Sequence, residues 1–423
     1  MAVFPSFAAF ETFVQGLGVF HMDLRLERMQ RILTHLGLQR PQGLVLQVVG
    51  TNAKGSTSSM LEGIARAHGI QTGVFSSPHF LSLRERVRVN GALLSEDDWL
   101  EAANRVAAHQ PELTYFEWMT VVALVLFAQR QVDMVVLEAG LGGRHDATTA
   151  VAADLTVLTP IGRDHEAVLG PGVKRIAADK AGALRRKVPG ISAPQTTTVR
   201  RVLQSAAAKQ DSVVHFVPPA AGSQETSAWS GRLPGAHQEE NARLARQVWQ
   251  WCAFSLACPT RPELVEYGLQ HAWLPGRLQW CALGQTHILL DAAHNPPAVG
   301  RLREYVSVLE TPPRQLIFSC LQGKATPAFL QRIRRLQMDT IWVPDLPPGP
   351  RRMPARQLAA ALDAAAVEGM AAAVKRAECS GKPTLVCGSL YLLAEFFRLH
   401  PRFLTPEGPE SPFFVPSAER SVL

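Results

Sequence analysis

Leu44-Val45-Leu46-Gln47-Val48-Val49, followed by Gly50-Thr51-Asn52-Ala53-Lys54-Gly55-Ser56, decides how this chain folds. The apolar run reads as a buried strand, the glycine-bounded heptad as a loop, and the Ala/Leu-rich segment from Ser56 to Ala67 as a helix closed by Gly69. Such a turn gathers backbone N–H groups, a helix N-terminus and one lysine around a small volume, which suits a nucleotide polyphosphate. The order departs from the strict phosphate-loop pattern, because Lys54 precedes the second glycine. For the heptad taken by itself, the alternative is a βα turn whose glycines serve only chain reversal.

Outward from the loop, an amphipathic helix over about Leu24–Leu36 precedes the strand. A short strand, Thr72–Ser76, runs into Ser77-Pro78-His79, and β-branched runs recur at Met134–Leu137 and Leu155–Leu158, with a helical segment at Phe116–Gln129. Continuous apolar strands separated by helices predict a parallel sheet covered on both faces, with ligands at the carboxyl ends of the strands. Val188–Pro234 is rich in Ser, Thr, Pro and Gln and reads as an irregular end of the first domain. A helix from about Glu239 to Cys252 follows, and Leu274-Pro275-Gly276-Arg277 reads as a hinge. Beyond it strands His287–Leu290, Gln315–Ser319, Thr340–Val343 and Thr384–Cys387 alternate with helices Pro297–Leu309, Pro327–Leu336 and Leu390–Leu399. The expected division is 1–274, 275–405 and an extended tail, 406–423, with four prolines among its last twenty or so residues.

At 423 residues the chain exceeds one ordinary core, and 47% hydrophobic with 19% charged residues marks a globular protein. The net charge of +7 favours anionic partners such as nucleotides or polycarboxylates. The arginines are scattered, Arg84, Arg86 and Arg88 alternating in a strand-like run, so they read as solvated faces and not as a nucleic-acid stripe. None of the six cysteines forms a Cys-x-x-Cys pair, which fits a reducing compartment. Met1–Gly16 has no basic region before an apolar block, and the longest apolar stretch, Val121–Ala128, falls short of the roughly 20 residues a bilayer span needs. The expectation is a cytoplasmic monomer acting on small molecules, without nucleic-acid or membrane partners.

Three strand ends carry groups suited to a hard cation. Ser77 follows the second strand, Glu138 ends Val135-Val136-Leu137, and His165 lies six residues past Thr159. A hydroxyl, a carboxylate and an imidazole beside a phosphate loop can hold Mg²⁺, which keeps waters and shares phosphate oxygens. The run Gly140-Leu141-Gly142-Gly143-Arg144 would permit close backbone approach to a ligand.

Further motifs come in a characteristic order: Ser-Ser-Pro-His at 76–79, Arg-Val-Arg-Val-Asn-Gly at 86–91, Thr-Tyr-Phe-Glu at 114–117 and Leu-Glu-Ala-Gly-Leu-Gly-Gly-Arg-His-Asp-Ala-Thr at 137–148. Asp-His at 164–165, Asp-Lys-Ala-Gly at 179–182, His-Gln-Glu-Glu-Asn at 237–241, Leu-Pro-Gly-Arg at 274–277 and Asp-Ala-Ala-His-Asn-Pro at 291–296 complete the series. With the heptad at Gly50, they resemble the folylpolyglutamate synthase/dihydrofolate synthase family of the Mur ligase superfamily, over nearly the whole chain. The resemblance implies an α/β fold, with an N-terminal P-loop-like parallel-sheet ATPase domain of the Mur ligase central type and a smaller C-terminal Rossmann-like domain.

It also implies roles. Thr51, Asn52, Ala53, Lys54, Gly55 and Ser56 would line the ATP phosphates, and Asn241, Arg277 and Asp291 would clasp the nucleotide. Ser77, Glu138 and His165 match magnesium ligands; Lys180 matches a lysine that is carbamylated and so can hold a second Mg²⁺. Asp23, Leu24, Thr114, Tyr115, Phe116 and Glu117 match the pterin-substrate region, and His294 lies by the incoming glutamate. Lys54, Lys180 and His294 are the expected catalytic residues. The implied activity is ATP-dependent addition of L-glutamate to tetrahydrofolate, and to dihydropteroate, through an acyl phosphate. The alternatives are another Mur-type ligase or a non-catalytic nucleotide- or folate-binding paralogue. Four departures stand out: Ala53 where the family has glycine, Arg25 where it has glycine in Asp-Leu-Gly-Leu-Glu-Arg, Thr149 where it has asparagine, and Leu321-Gln322-Gly323-Lys324-Ala325, which keeps only the lysine of a family Asp-Lys-Asp.

Overall fold

The computed structural model describes residues 3–18, 21, 23–219, 229, 231–347 and 352–406; the expected tail beyond 406 lies outside them. The described residues of Met1–Glu225 and Glu240–Ala272 form one compact unit, and those of Thr226–Glu239 and Trp273–Leu423 a second.

In the first unit the strands are β1 (Leu44–Val49), β2 (Thr72–Phe75), β3 (Val87–Val89), β4 (Ala92–Leu93), β5 (Met134–Glu138), β6 (Leu155–Leu158), β7 (Gly190–Ser192) and β8 (Val214–Phe216). They form one sheet in the order β4-β3-β2-β5-β1-β6-β7-β8. From β2 to β8 the neighbours are parallel, and only β3 and β4 add antiparallel at the edge. β1 is central, with β5 on one side and β6 on the other, so the crevice where ligands of such sheets bind lies at its carboxyl end. Both faces are covered. The helix Tyr115–Gln129 is apolar all round and almost wholly buried, the pattern of a core helix.

The stretch read as irregular after Val188 is regular up to Phe216. Gly190–Ser192 and Val214–Phe216 extend the sheet, joined by the helix Thr197–Lys209. Thr196 caps that helix, and Val199, Leu203 and Ala207 bury one face at intervals of four. The strands are only three residues long, too short to show a period. An N-terminal helix, Phe7–Gly16, likewise escaped the sequence reading; Phe10 and Val14 bury it, and the Phe4, Phe10 and Phe13 rings lie 5.5–6.2 Å from that of Trp118. Phe10 and Val14, both fully buried, each contribute about 1.5–3 kcal/mol.

The expected run of solvated arginines is also corrected. Leu83–Arg86 is a 3-10 turn, and only Val87–Val89 is strand. Arg86 is buried and donates from Nε to His79 Nδ1 at 2.9 Å, while Arg88 pairs with the buried Glu62 at 2.9 Å.

In the second unit β9 (Gln279–Leu283), β10 (Thr286–Asp291), β11 (Gln315–Phe318), β12 (Thr340–Pro344), β13 (Ala365–Val367) and β14 (Thr384–Cys387) form a sheet in the order β13-β12-β11-β14-β10-β9. It is parallel except at β9. All six cysteines are free thiols. No helix among the described residues is long and apolar enough to cross a membrane.

Candidate active site

The helix Lys54–Ala67 begins inside the heptad, with Ala53 as its N-cap residue. An alanine side chain cannot cap, so Ala53 offers no side-chain acceptor to the first turn of the helix. The loop is fastened to the segment after β6. Thr51 N–H and Asn52 N–H donate to Pro160 O at 3.0 and 3.3 Å, and Thr159 Oγ1 donates to Asn52 O at 2.7 Å. Gly50 is required by close approach, since a Cβ there would stand 1.8 Å from Thr159 Oγ1. Ala53 has φ 66 and ψ 2, the left-handed conformation its family glycine would take freely. For an alanine it costs on the order of 1 kcal/mol, which the surrounding anchors hold in place.

Two lysines converge on this loop. Lys180 Nζ donates to Gly50 O at 2.8 Å, and Lys54 Nζ reaches the same carbonyl at 3.4 Å. Lys180 ends the helix Val173–Lys180 and is buried; that burial, with the charge of Lys54 beside it, brings its amine down to about 7. The lowering favours the neutral amine, the form that attacks CO₂ to make a carbamate.

The expected cation donors end or follow three parallel strands, β2, β5 and β6, with β1 between the last two. Ser77 follows β2, and Glu138, buried, ends β5 with its Oε2 3.4 Å from Ser77 N. His165 follows β6 at φ 52 as the N-cap of Glu166–Leu169, its N–H donating to the buried Asp164 at 2.7 Å. Among the described residues no group of three or more His, Cys, Asp and Glu side chains is placed to hold a metal. The expected set has only two such residues and takes its other donors from Ser77 and a modified Lys180. Its oxygen-rich chemistry, with Glu138 turned toward Ser77, fits an oxygen-preferring divalent cation.

The glycines at 140–143 make close contacts with protein. A Cβ on Gly140 would lie 2.7 Å from the Phe116 ring, and one on Gly143 would lie 2.6 Å from the Lys180 backbone. They let protein approach protein, bringing the helix that carries Lys180 against the loop. Asp146 shapes that loop: its carboxylate accepts N–H from Gly140, Leu141 and Thr148, and the Thr148 hydroxyl. Burial pushes its carboxyl pKa up, opposed by those hydrogen bonds. Thr149, at the asparagine position, donates to Gly143 O and accepts from Gln47, both at 2.6 Å.

In the substrate region, Asp23 and Leu24 precede the helix Glu27–Leu36, and Leu24 O meets His145 Nδ1 at 2.8 Å. Thr114 N-caps the helix Tyr115–Gln129, and Glu117 Oε2 accepts both its N–H and its hydroxyl at 2.8 Å. Arg28 joins the two segments, donating to Glu117 at 2.7 Å and to the Asp23 carbonyl at 2.9 Å. Tyr115 is buried under Arg86, whereas Phe116 is half-buried beside Phe75. A cavity of about 570 Å³ opens here, with Asp23, Arg28 and Thr114 in its wall.

In the second unit Asp291 ends β10, and its two carboxylate oxygens accept the N–H groups of Leu278 and Ala293 at 3.0 and 2.9 Å. Burial raises its pKa against the pull of Arg277. Asp291 thus builds the turn that presents Arg277, whose Nη1 donates to Gly276 O at 3.2 Å. His294 folds back onto Ala292 O at 2.8 Å. Asn241 lies buried on the helix Ala236–Ser255 in the first unit. Sequence reasoning missed Arg28, Asp146, Thr159 and Gln47; only Asp146 carried a local signal, an Asp two residues before a Thr that it caps.

A phosphate loop at the centre of a parallel sheet, two lysines on one of its carbonyls and cation donors at the neighbouring strand ends define a nucleotide-dependent enzyme of the α/β class. The chain is 33% identical over 401 residues to the dihydrofolate synthase/folylpolyglutamate synthase of Escherichia coli K12, covering 92% of this chain and 94% of that protein. Among solved structures, the Yersinia pestis bifunctional folylpolyglutamate synthase/dihydrofolate synthase with AMPPNP and Mn superposes at a TM-score of 0.83 and 31% identity, over 93% and 98% of the two chains. The E. coli enzyme with DHPP and ADP gives 0.82 at 29%, over 94% and 98%. No family model matches the chain. The chain belongs to the dihydrofolate synthase/folylpolyglutamate synthase family.

Proposed function

We propose that the chain is an ATP-dependent amide ligase that adds L-glutamate to tetrahydrofolate and to dihydropteroate. The observation that carries this reading is the pair Lys54 and Lys180 on Gly50 O, beside a helix N-terminus that its N-cap residue leaves uncapped. Lys54 and the N–H groups of residues 54–56 hold the γ-phosphate and offset the charge that gathers as it moves to the substrate carboxylate. That transfer forms an acyl phosphate, which the glutamate amine attacks with loss of phosphate. A bound Mg²⁺ would supply Lewis-acid polarisation of the phosphoryl oxygens, held by Ser77, Glu138 and His165, with a carbamylated Lys180 serving a second ion.

Asp23, Leu24, Thr114 and Phe116 face the pterin, while Tyr115 and Glu117 hold the backbone that presents them. Arg277, on the turn fixed by Asp291, and Asn241 are assigned to the nucleotide, and His294 to the glutamate. The ATP-binding domain is assigned to the first unit and the ligase domain to the second, which takes Thr226–Glu239 and begins again at Trp273 instead of at 275. The cytoplasm is the assigned compartment, in keeping with six free thiols, and the monomer is the assigned state.

The test offers Mg-ATP and L-glutamate with dihydropteroate or tetrahydrofolate and measures phosphate release. Release with either pterin, with product one glutamate heavier, is expected. No release with both would refute the proposal.

A further inference from the structure

The reading of Asp23 as a substrate contact opens a question about the residue two positions on. Arg25 turns its guanidinium back onto the Asp23 carboxylate, Nε donating to Oδ1 at 3.0 Å and Nη2 to Oδ2 at 2.7 Å, while its own N–H donates to Oδ1 at 3.1 Å. Arg28 pairs with Oδ2 as well. The two arginines differ in kind. Arg28 is half-buried, its side chain 11% exposed, and is locked to Glu117, which is buried. Arg25 is 78% exposed at the side chain, and its hydrogen bonds all go to Asp23.

Arg25, Arg28 and Asp23 line the cavity of about 570 Å³, which is the size of a small-molecule site. A carboxylate at its wall offers two parallel acceptor oxygens. The 2-amino-4-oxo edge of a pteridine, with a ring N–H beside an exocyclic NH₂, presents two parallel donors, as a guanidinium fork does. Arg25 therefore fills, from within the chain, the hydrogen-bonding place such an edge would take.

We propose that Arg25 is a specificity-determining residue of this site: it occupies Asp23 as an internal surrogate for the 2-amino-4-oxo edge and must swing away before that edge binds. The inference rests on the proposed function above. Because Arg25 is exposed, detaching it is cheap, and the effect on apparent affinity is about two- to fivefold.

The test is steady-state kinetics of the full chain with dihydropteroate and with tetrahydrofolate. Arg25→Gly should lower the pteridine KM about two- to fivefold, leaving kcat and the ATP KM unchanged. Arg25→Lys keeps the charge but not the fork, and should move KM the same way. Asp23→Asn should raise KM, and adding Arg25→Gly to it should bring no further gain. Wild-type turnover with a pteridine KM unmoved or raised by Arg25→Gly overturns the inference alone, as does an equal gain in the Asp23→Asn background. A wild-type chain that turns over no pteridine overturns the functional reading with it.

Discussion

Lys180 in the first unit and Asp291 in the second are both buried charges beside the carboxyl end of a sheet's strand, and the fold treats them in opposite ways. Asp291 spends both oxygens on its own backbone, at Leu278 and Ala293. Lys180 has three donors and hydrogen-bonds one carbonyl, Gly50 O, with Lys54 competing for the same atom. A saturated buried charge is scaffold. An under-satisfied one, brought down to about 7 by burial and a neighbouring cation, is poised for chemistry.

The contrast is open to attack by mutation. Lys54→Ala should cost about 10²–10³-fold in kcat with the fold intact, and Lys180→Ala about 10²-fold, recovered in part by added formate or acetate. Phosphate release and circular dichroism check both, and a Lys180→Ala protein with full activity would remove the lysine pair from the reaction. Asp291→Ala should act on stability first, because two buried amides lose their acceptor: about 3 kcal/mol in a denaturant titration. If it unfolds normally but fails to turn over, Asp291 is no scaffold and the contrast breaks.

His237 offers a pH probe of the second unit. Burial, with Arg301 and Arg277 nearby, lowers its pKa to about 4 from 6.5. The depressed value means the folded state prefers the neutral ring. Its stability contribution is complete above 6.5 and is lost as pH falls toward 4, by roughly 2 kcal/mol. His237→Gln should flatten that acid limb, as urea melts at pH 7 and 4.5 would show. The smallest effect belongs to Ala53→Gly, which should add about 0.5–1 kcal/mol by relieving the positive φ, read as a shift in melting temperature. A loss instead would show that the loop needs a stiff residue more than an unstrained one.

Much of this was legible in the sequence. Runs such as Leu44–Val49 and Thr384–Cys387 are long enough, apolar enough and sharply enough bounded to announce themselves, and the residues just past them are the candidate ligands. Strands of three residues, like Gly190–Ser192, carry no period. The pairing of Arg28 with Glu117 spans 89 positions and that of Gln47 with Thr148 spans 101, and no local pattern encodes either. The glycine loop is less legible for a related reason: glycine says that something comes close, not what.

Gln47 is a polar side chain in the middle of the central strand, fully buried. Its amide nitrogen donates to Thr148 at 2.9 Å and to Thr149 at 2.6 Å, and Thr149 passes the link to Gly143. The phosphate loop leaves the end of that same strand three residues later. The strand is therefore a common datum from which two distant stretches of chain are measured. Any drift of one relative to the other must first strip a hydrogen bond from the dry interior, so the spacing between Lys54 and Lys180 is gauged from inside the core.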